Sequence, residues 1–120
     1  MSISNAFETV LLDVVAGTTP AVTGAWIQLH TGDPTEACDQ NVAGEATRQT
    51  ISWNAASGDS ITSSAAVTWT NVSTAETLTH WSLWSADTSG TAIWYGALSG
   101  SATVAVGDTF QITSLTLTLD

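Results

Sequence analysis

A chain of 120 residues with eleven acids, a single cationic side chain (Arg48) and no lysine carries a formal charge of −10. That charge excludes nucleic acid and anionic membranes as partners, because binding to phosphate draws on Lys and Arg displacing counterions. The 43% apolar content argues against disorder, the length fits one β-rich domain over residues 1–120, and no apolar run reaches the ~20 residues that cross a bilayer.

The polar surface is made of hydroxyls rather than charges: Ser and Thr supply 35 residues. Thr is β-branched and fits a pleated, half-exposed strand. One segment reads as a helix, residues 5–15, where Phe7, Val10, Leu11 and Val14 follow the i, i+3, i+4, i+7 spacing of an apolar face. Asn5 is the expected N-cap with Glu8 as its capping-box partner, and Gly17 and Pro20 end the segment. The helix packs either on its own sheet or, as an arm, on a neighbouring subunit.

From residue 25 the pattern alternates. Residues 25–30 form a strand with Ile27 and Leu29 on one face and Trp26, Gln28 and His30 on the other. Residues 31–45 make a long loop with four acids, a length that is uncommon unless the loop binds or orders something. Strands follow at 47–53, 66–70, 78–84 and 91–98, with turns at 54–60, Asp87–Gly90 and Gly107-Asp108. The run at 78–84 is apolar on both faces and reads as a central strand. In the last segment Phe110 and Ile112 sit at even positions, but Leu115, Leu117 and Leu119 at odd ones. Such a phase shift means a bulge near Thr113-Ser114 or a strand that passes between two sheets. The fold class is therefore mainly β, an antiparallel sandwich or barrel-like fold with one short N-terminal helix.

Catalytic signals are missing: no nucleophile elbow, zinc-protease, P-loop or dinucleotide motif occurs. The lone Cys38 lies among acids, which disfavours a thiolate. Asp33, Glu36, Asp39 and Glu45, with Asn41, could surround a hard cation, but their spacing matches no EF-hand. No cofactor or metal is expected, and the chain reads as a non-enzyme. Arg48 directly follows the acidic loop and is expected to order it by pairing with Asp33, Glu36 or Glu45. Trp26, Trp81, Trp84 and Trp94 are expected in core or interface, since tryptophans within strands serve packing more often than sugar stacking.

Three segments together resemble a known class. They are Ala25-Trp26-Ile27-Gln28-Leu29-His30-Thr31-Gly32-Asp33-Pro34, then Gly44-Glu45-Ala46-Thr47-Arg48-Gln49, then Thr79-His80-Trp81-Ser82-Leu83-Trp84-Ser85-Ala86 with Gly90, Ile93-Trp94-Tyr95-Gly96 and Gly107-Asp108-Thr109. In this order they resemble small bacteriophage virion proteins of tail-fibre or minor tail type. One departure is Thr47, where an aromatic–small pair precedes the arginine in that pattern. The resemblance implies a virion component; with no charged-then-apolar signal-peptide pattern at the start of the sequence, the protein is expected to be made in the host cytoplasm and carried on the outer surface of the virion. Its implied partners are other virion proteins, of the tail or the major capsid. Scarce charge and many tryptophans point to a homo-oligomer, with a trimer favoured. A capsid decoration protein is the first alternative reading, a carbohydrate-binding module the second, and a two-carboxylate glycosidase the remotest.

Overall fold

The computed structural model describes residues 1–119. The chain forms β1 (Ser2–Ile3), α1 (Asn5–Val15), β2 (Trp26–His30), β3 (Gln49–Thr50) and β4 (Ser60–Thr62). It continues with β5 (Val67–Trp69), β6 (Glu76–Trp84), β7 (Ala92–Val104), β8 (Phe110–Ile112) and β9 (Thr116–Thr118). All pairings are antiparallel. One five-stranded sheet has the order β1-β7-β6-β2-β3, and two small ladders pair β4 with β9 and β5 with β8. The sheets stay open, so the fold is sandwich-like and not a closed barrel.

Register explains which side chains meet. Ile27 lies opposite Leu83, Leu29 opposite Trp81, and Leu83 also opposite Trp94. These five form the inner face and are buried. The small ladders close over them with Val67, Trp69, Ile112 and Leu117, all part of the same core. Trp69 contacts Phe110 with ring centroids 5.8 Å apart, and its indole donates to the Thr47 carbonyl at 2.8 Å. Gly96 lies opposite Trp81. A Cβ there would fall 3.1 Å from the Trp81 ring, so glycine makes room for the indole.

The phase shift near residue 113 marks a strand passing between ladders: β8 pairs with β5, and after a break the chain resumes as β9 beside β4. The expected strand 47–53 stays in the large sheet only at Gln49 and Thr50, after which Trp53 bridges to Ser63 in the other layer. The strand expected to end at residue 98 runs to Val104, because the β6–β7 hairpin extends back to Glu76.

Ser4, not Asn5, caps the helix. Its hydroxyl accepts from the Phe7 amide at 3.2 Å and donates to the Ala92 carbonyl. The Ser4 amide is already bonded to the Ile93 carbonyl, so the helix start is fixed by the sheet and Glu8 has no capping amide to meet. At the other end Gly17 takes φ +89°, the left-handed conformation that glycine adopts without penalty. Phe7, Val10 and Leu11 are half-buried, while Leu12, Val14 and Val15 remain exposed.

Candidate functional site

The outer face of the large sheet gathers residues from all three segments of the sequence pattern. Even positions share it: Trp26 lies opposite Trp84, Gln28 opposite Ser82, and His30 opposite His80. His30 and Ser82 are fully buried, Gln28 nearly so, and Trp26, Trp84 and His80 are half-buried. A buried polar row of this kind holds only if its hydrogen bonds are made internally.

They are. His30 Nδ1 lies 2.8 Å from the Gln40 carbonyl, and Nε2 lies 2.7 Å from Ser82 Oγ. A carbonyl only accepts, so Nδ1 carries the proton. Burial holds the His30 pKa below its ordinary value; bonds to the Gln40 and Asn41 backbones oppose this, and His80 and Arg48 add to it. The ring is therefore neutral at pH 7, and Nε2 accepts from the Ser82 hydroxyl. Ser82 Oγ in turn accepts from the Trp84 indole at 2.8 Å. The chain of bonds runs from Trp84 through Ser82 and His30 to the loop at Gln40.

A serine beside a histidine invites a catalytic reading, and the geometry argues against it. Ser82 has no exposure to solvent, its oxygen already accepts the indole N–H, and the histidine is oriented by a carbonyl rather than a carboxylate. Cys38 is buried as well, and burial followed by the Asp39 charge pushes its thiol up to about 12. Among the described residues no group of three or more His, Cys, Asp or Glu is placed to hold a metal ion.

Arg48 sits over this row. Its guanidinium lies 4.0 Å from the centre of the Trp84 ring. Nε donates to Gln28 Oε1 at 3.0 Å, and Nη1 donates to the carbonyls of Ala86 and Ser89, each at 2.8 Å. Burial lowers its pKa, with the Asp87 charge acting in the opposite direction. The expected pairing of Arg48 with Asp33, Glu36 or Glu45 is not what the structure contains. Its bonds go across the sheet to the β6–β7 turn, because β3 lies beside β2 and reaches over Trp84. Arg48 thus bonds within residues 85–91, where Ser85 Oγ also accepts from the Thr91 amide.

The loop 31–45 is held by other groups. Asp33 Oδ1 accepts from the Thr35 amide and the Asp33 carbonyl accepts from Asn41 Nδ2. The Glu76 carboxylate accepts from the amides of Gly44 and Glu45 at 2.7 and 3.1 Å. Glu45 is buried and accepts from Ser73 Oγ. Sequence reasoning missed Ser82, Gln28 and Glu76. The shared phase of residues 26, 28 and 30 did signal a second face, but an isolated glutamate at a strand start carries no signal.

The tryptophans divide by layer. Trp69, Trp81 and Trp94 are buried, and Trp26, Trp53 and Trp84 are half-buried, so none is an open stacking platform. The ring of Trp84 is covered by Arg48, and the Trp53 indole is tied to the Gly24 carbonyl at 2.7 Å.

Comparison with known proteins bears on what this architecture serves. The family model described as Podophage GP4 fiber I protein gp80 matches residues 2–120. The chain belongs to that family. It is a phage fibre-type structural protein and a virion component. No curated protein matches the sequence. The bonds of the outer face tie the long loop at Gln40 and the hairpin tip at Ala86 and Ser89 to the sheet.

Proposed function

We propose that this chain is an external module of a phage fibre that works by protein–protein contact in an oligomer and catalyses no reaction. The match to a fibre family along residues 2–120 is the observation that carries the reading. The engaged state of Ser82, His30 and Cys38 supports the absence of catalysis, since each candidate nucleophile or base is buried and bonded. The fibre match also favours the tail over a capsid decoration role.

The oligomer reading draws on where apolar surface lies rather than on how much there is. The accessible area of 6327 Å² is close to the roughly 6,100 Å² that scaling gives a monomer of this mass. Exposed large apolar groups lie at the end of α1, with Leu12, Val14 and Val15 at 68, 56 and 85% exposure, and also singly at Met1, Val42, Val106 and Leu119. A trimer is the favoured state. The test is assembly of phage particles in the absence of this gene product. Particles that lack a fibre and regain it when purified protein is added support the reading. Particles with a full set of fibres overturn it.

A further inference from the structure

We propose that the recess between the start of α1, the loop at residues 36–37 and the turn from β6 into β7 binds a single ring of a neutral saccharide against Trp84. This site goes beyond the fibre reading and does not depend on the oligomer.

The recess has a volume of about 380 Å³, at the small end of the roughly 300–1,000 Å³ of ligand pockets. Trp84, Asn5, Glu36 and Thr91 line it, and every other lining residue is an alanine or a glycine. An aromatic surface with a few polar groups around it is the usual make-up of a small-molecule site. Trp84 is held from two directions. Its indole N–H is bonded to Ser82 Oγ, and Arg48 covers one face of its ring. Arg48 does not line the recess, so the part of the half-buried Trp84 that borders it is free of the guanidinium. The apolar C–H face of a pyranose packs on such a surface without displacing a bond.

The polar groups name the ligand's chemistry. Elsewhere around Trp84 the side chains of Gln28, Arg48, Ser82 and Ser85 are bonded within the chain. At the recess the Asn5 amide, the Glu36 carboxylate and the Thr91 hydroxyl have no hydrogen-bond partner among the described residues. The first turn of α1 adds a donor. The amides of Ser4, Asn5, Phe7 and Glu8 are bonded, and that of Ala6, which also lines the recess, is left open. Open donors and acceptors side by side suit sugar hydroxyls, each of which both donates and accepts. Charge narrows the class further. Glu36 and the net charge of −10 oppose an anionic sugar. A cation on Trp84 would meet the guanidinium already on that ring. A neutral ring with an apolar face and hydroxyls at its edge fits all of these groups.

The test titrates the whole chain with methyl glycosides of neutral hexoses and 6-deoxyhexoses. The readout is the NMR resonance of the Trp84 indole N–H, assigned by its loss in Trp84→Phe. A saturable shift of that resonance is expected with a neutral glycoside, and binding roughly tenfold weaker with methyl glucuronide and with glucosamine. Asn5→Ala/Thr91→Val should weaken binding roughly tenfold or more, because polar contacts to the sugar are lost. Unchanged melts serve as the folding control. If that double variant melts lower, Asn5→Ala and Glu36→Ala, both at exposed positions, carry the same test. Ala37→Tyr, which fills the recess and removes no bond, should abolish binding. No shift with any of the neutral glycosides overturns the site. Binding that survives these variants puts the sugar elsewhere and overturns it as well. Equal binding of the glucuronide overturns the neutral class. None of these outcomes bears on the fibre reading, which the particle experiment tests separately.

Discussion

Removing one oxygen, in Ser82→Ala, should disconnect the outer face of the sheet. The Ser82 hydroxyl donates to His30 Nε2 at 2.7 Å and accepts from the Trp84 indole at 2.8 Å. His30 is fully buried, so its nitrogen finds no replacement, and a buried group left unsatisfied costs about 1–3 kcal/mol. Trp84 is half-buried and can recover part of its bond from water. The total expected loss is about 2–4 kcal/mol. At about 4 °C per kcal/mol for a domain of this size, the melting midpoint should fall by about 8–16 °C. Denaturant unfolding of Ser82→Ala, Trp84→Phe and the double variant measures the coupling. Trp84→Phe removes the indole N–H and keeps an aromatic ring, so it should cost less once Ser82 is gone, with a coupling of about 0.5–3 kcal/mol. Costs that add to within about 0.5 kcal/mol would refute the bonded chain.

Arg48→Ala should loosen residues 85–91 and leave 31–45 protected, because its bonds end at Ala86 and Ser89; limited proteolysis mapped by mass spectrometry reads this, and cleavage in the loop instead would contradict it. Trp81→Ala should lower stability by about 3–5 kcal/mol, since the side chain is only 2% exposed in the core. Trp84→Ala should cost less, and chemical denaturation of the pair ranks them. His30 has its pKa held below the ordinary 6.5, so below that pH the unfolded chain binds more protons than the folded one. Its contribution is fully present above about pH 6.5 and is lost as pH falls toward the folded-state value. Melts from pH 7.5 to 5 should show that slope, and His30→Gln should flatten it.

Much of the fold was legible because strand alternation records burial directly. Ile27 and Leu29 against Trp26, Gln28 and His30 gave two faces, and the structure fills one with core and the other with a polar row. The odd–even switch after Ile112 likewise marked the passage between ladders. What escaped was set by tertiary register. β4 has one apolar residue, Ile61, and becomes a strand only because β9 lies beside it. Arg48 was assigned to the loop next to it in sequence, but cross-strand neighbours decide where a guanidinium reaches. Ser4 caps the helix because β7 offers its amide and hydroxyl partners at Ile93 and Ala92, which no local pattern announces.

The place of the chain as an external fibre module is tested by labelling intact virions with a gold-conjugated antibody raised against the exposed hairpin tip Asp87–Gly90. Label is expected on the tail fibres and none on the capsid faces. Label spread over the capsid lattice, or none on intact particles, would contradict it.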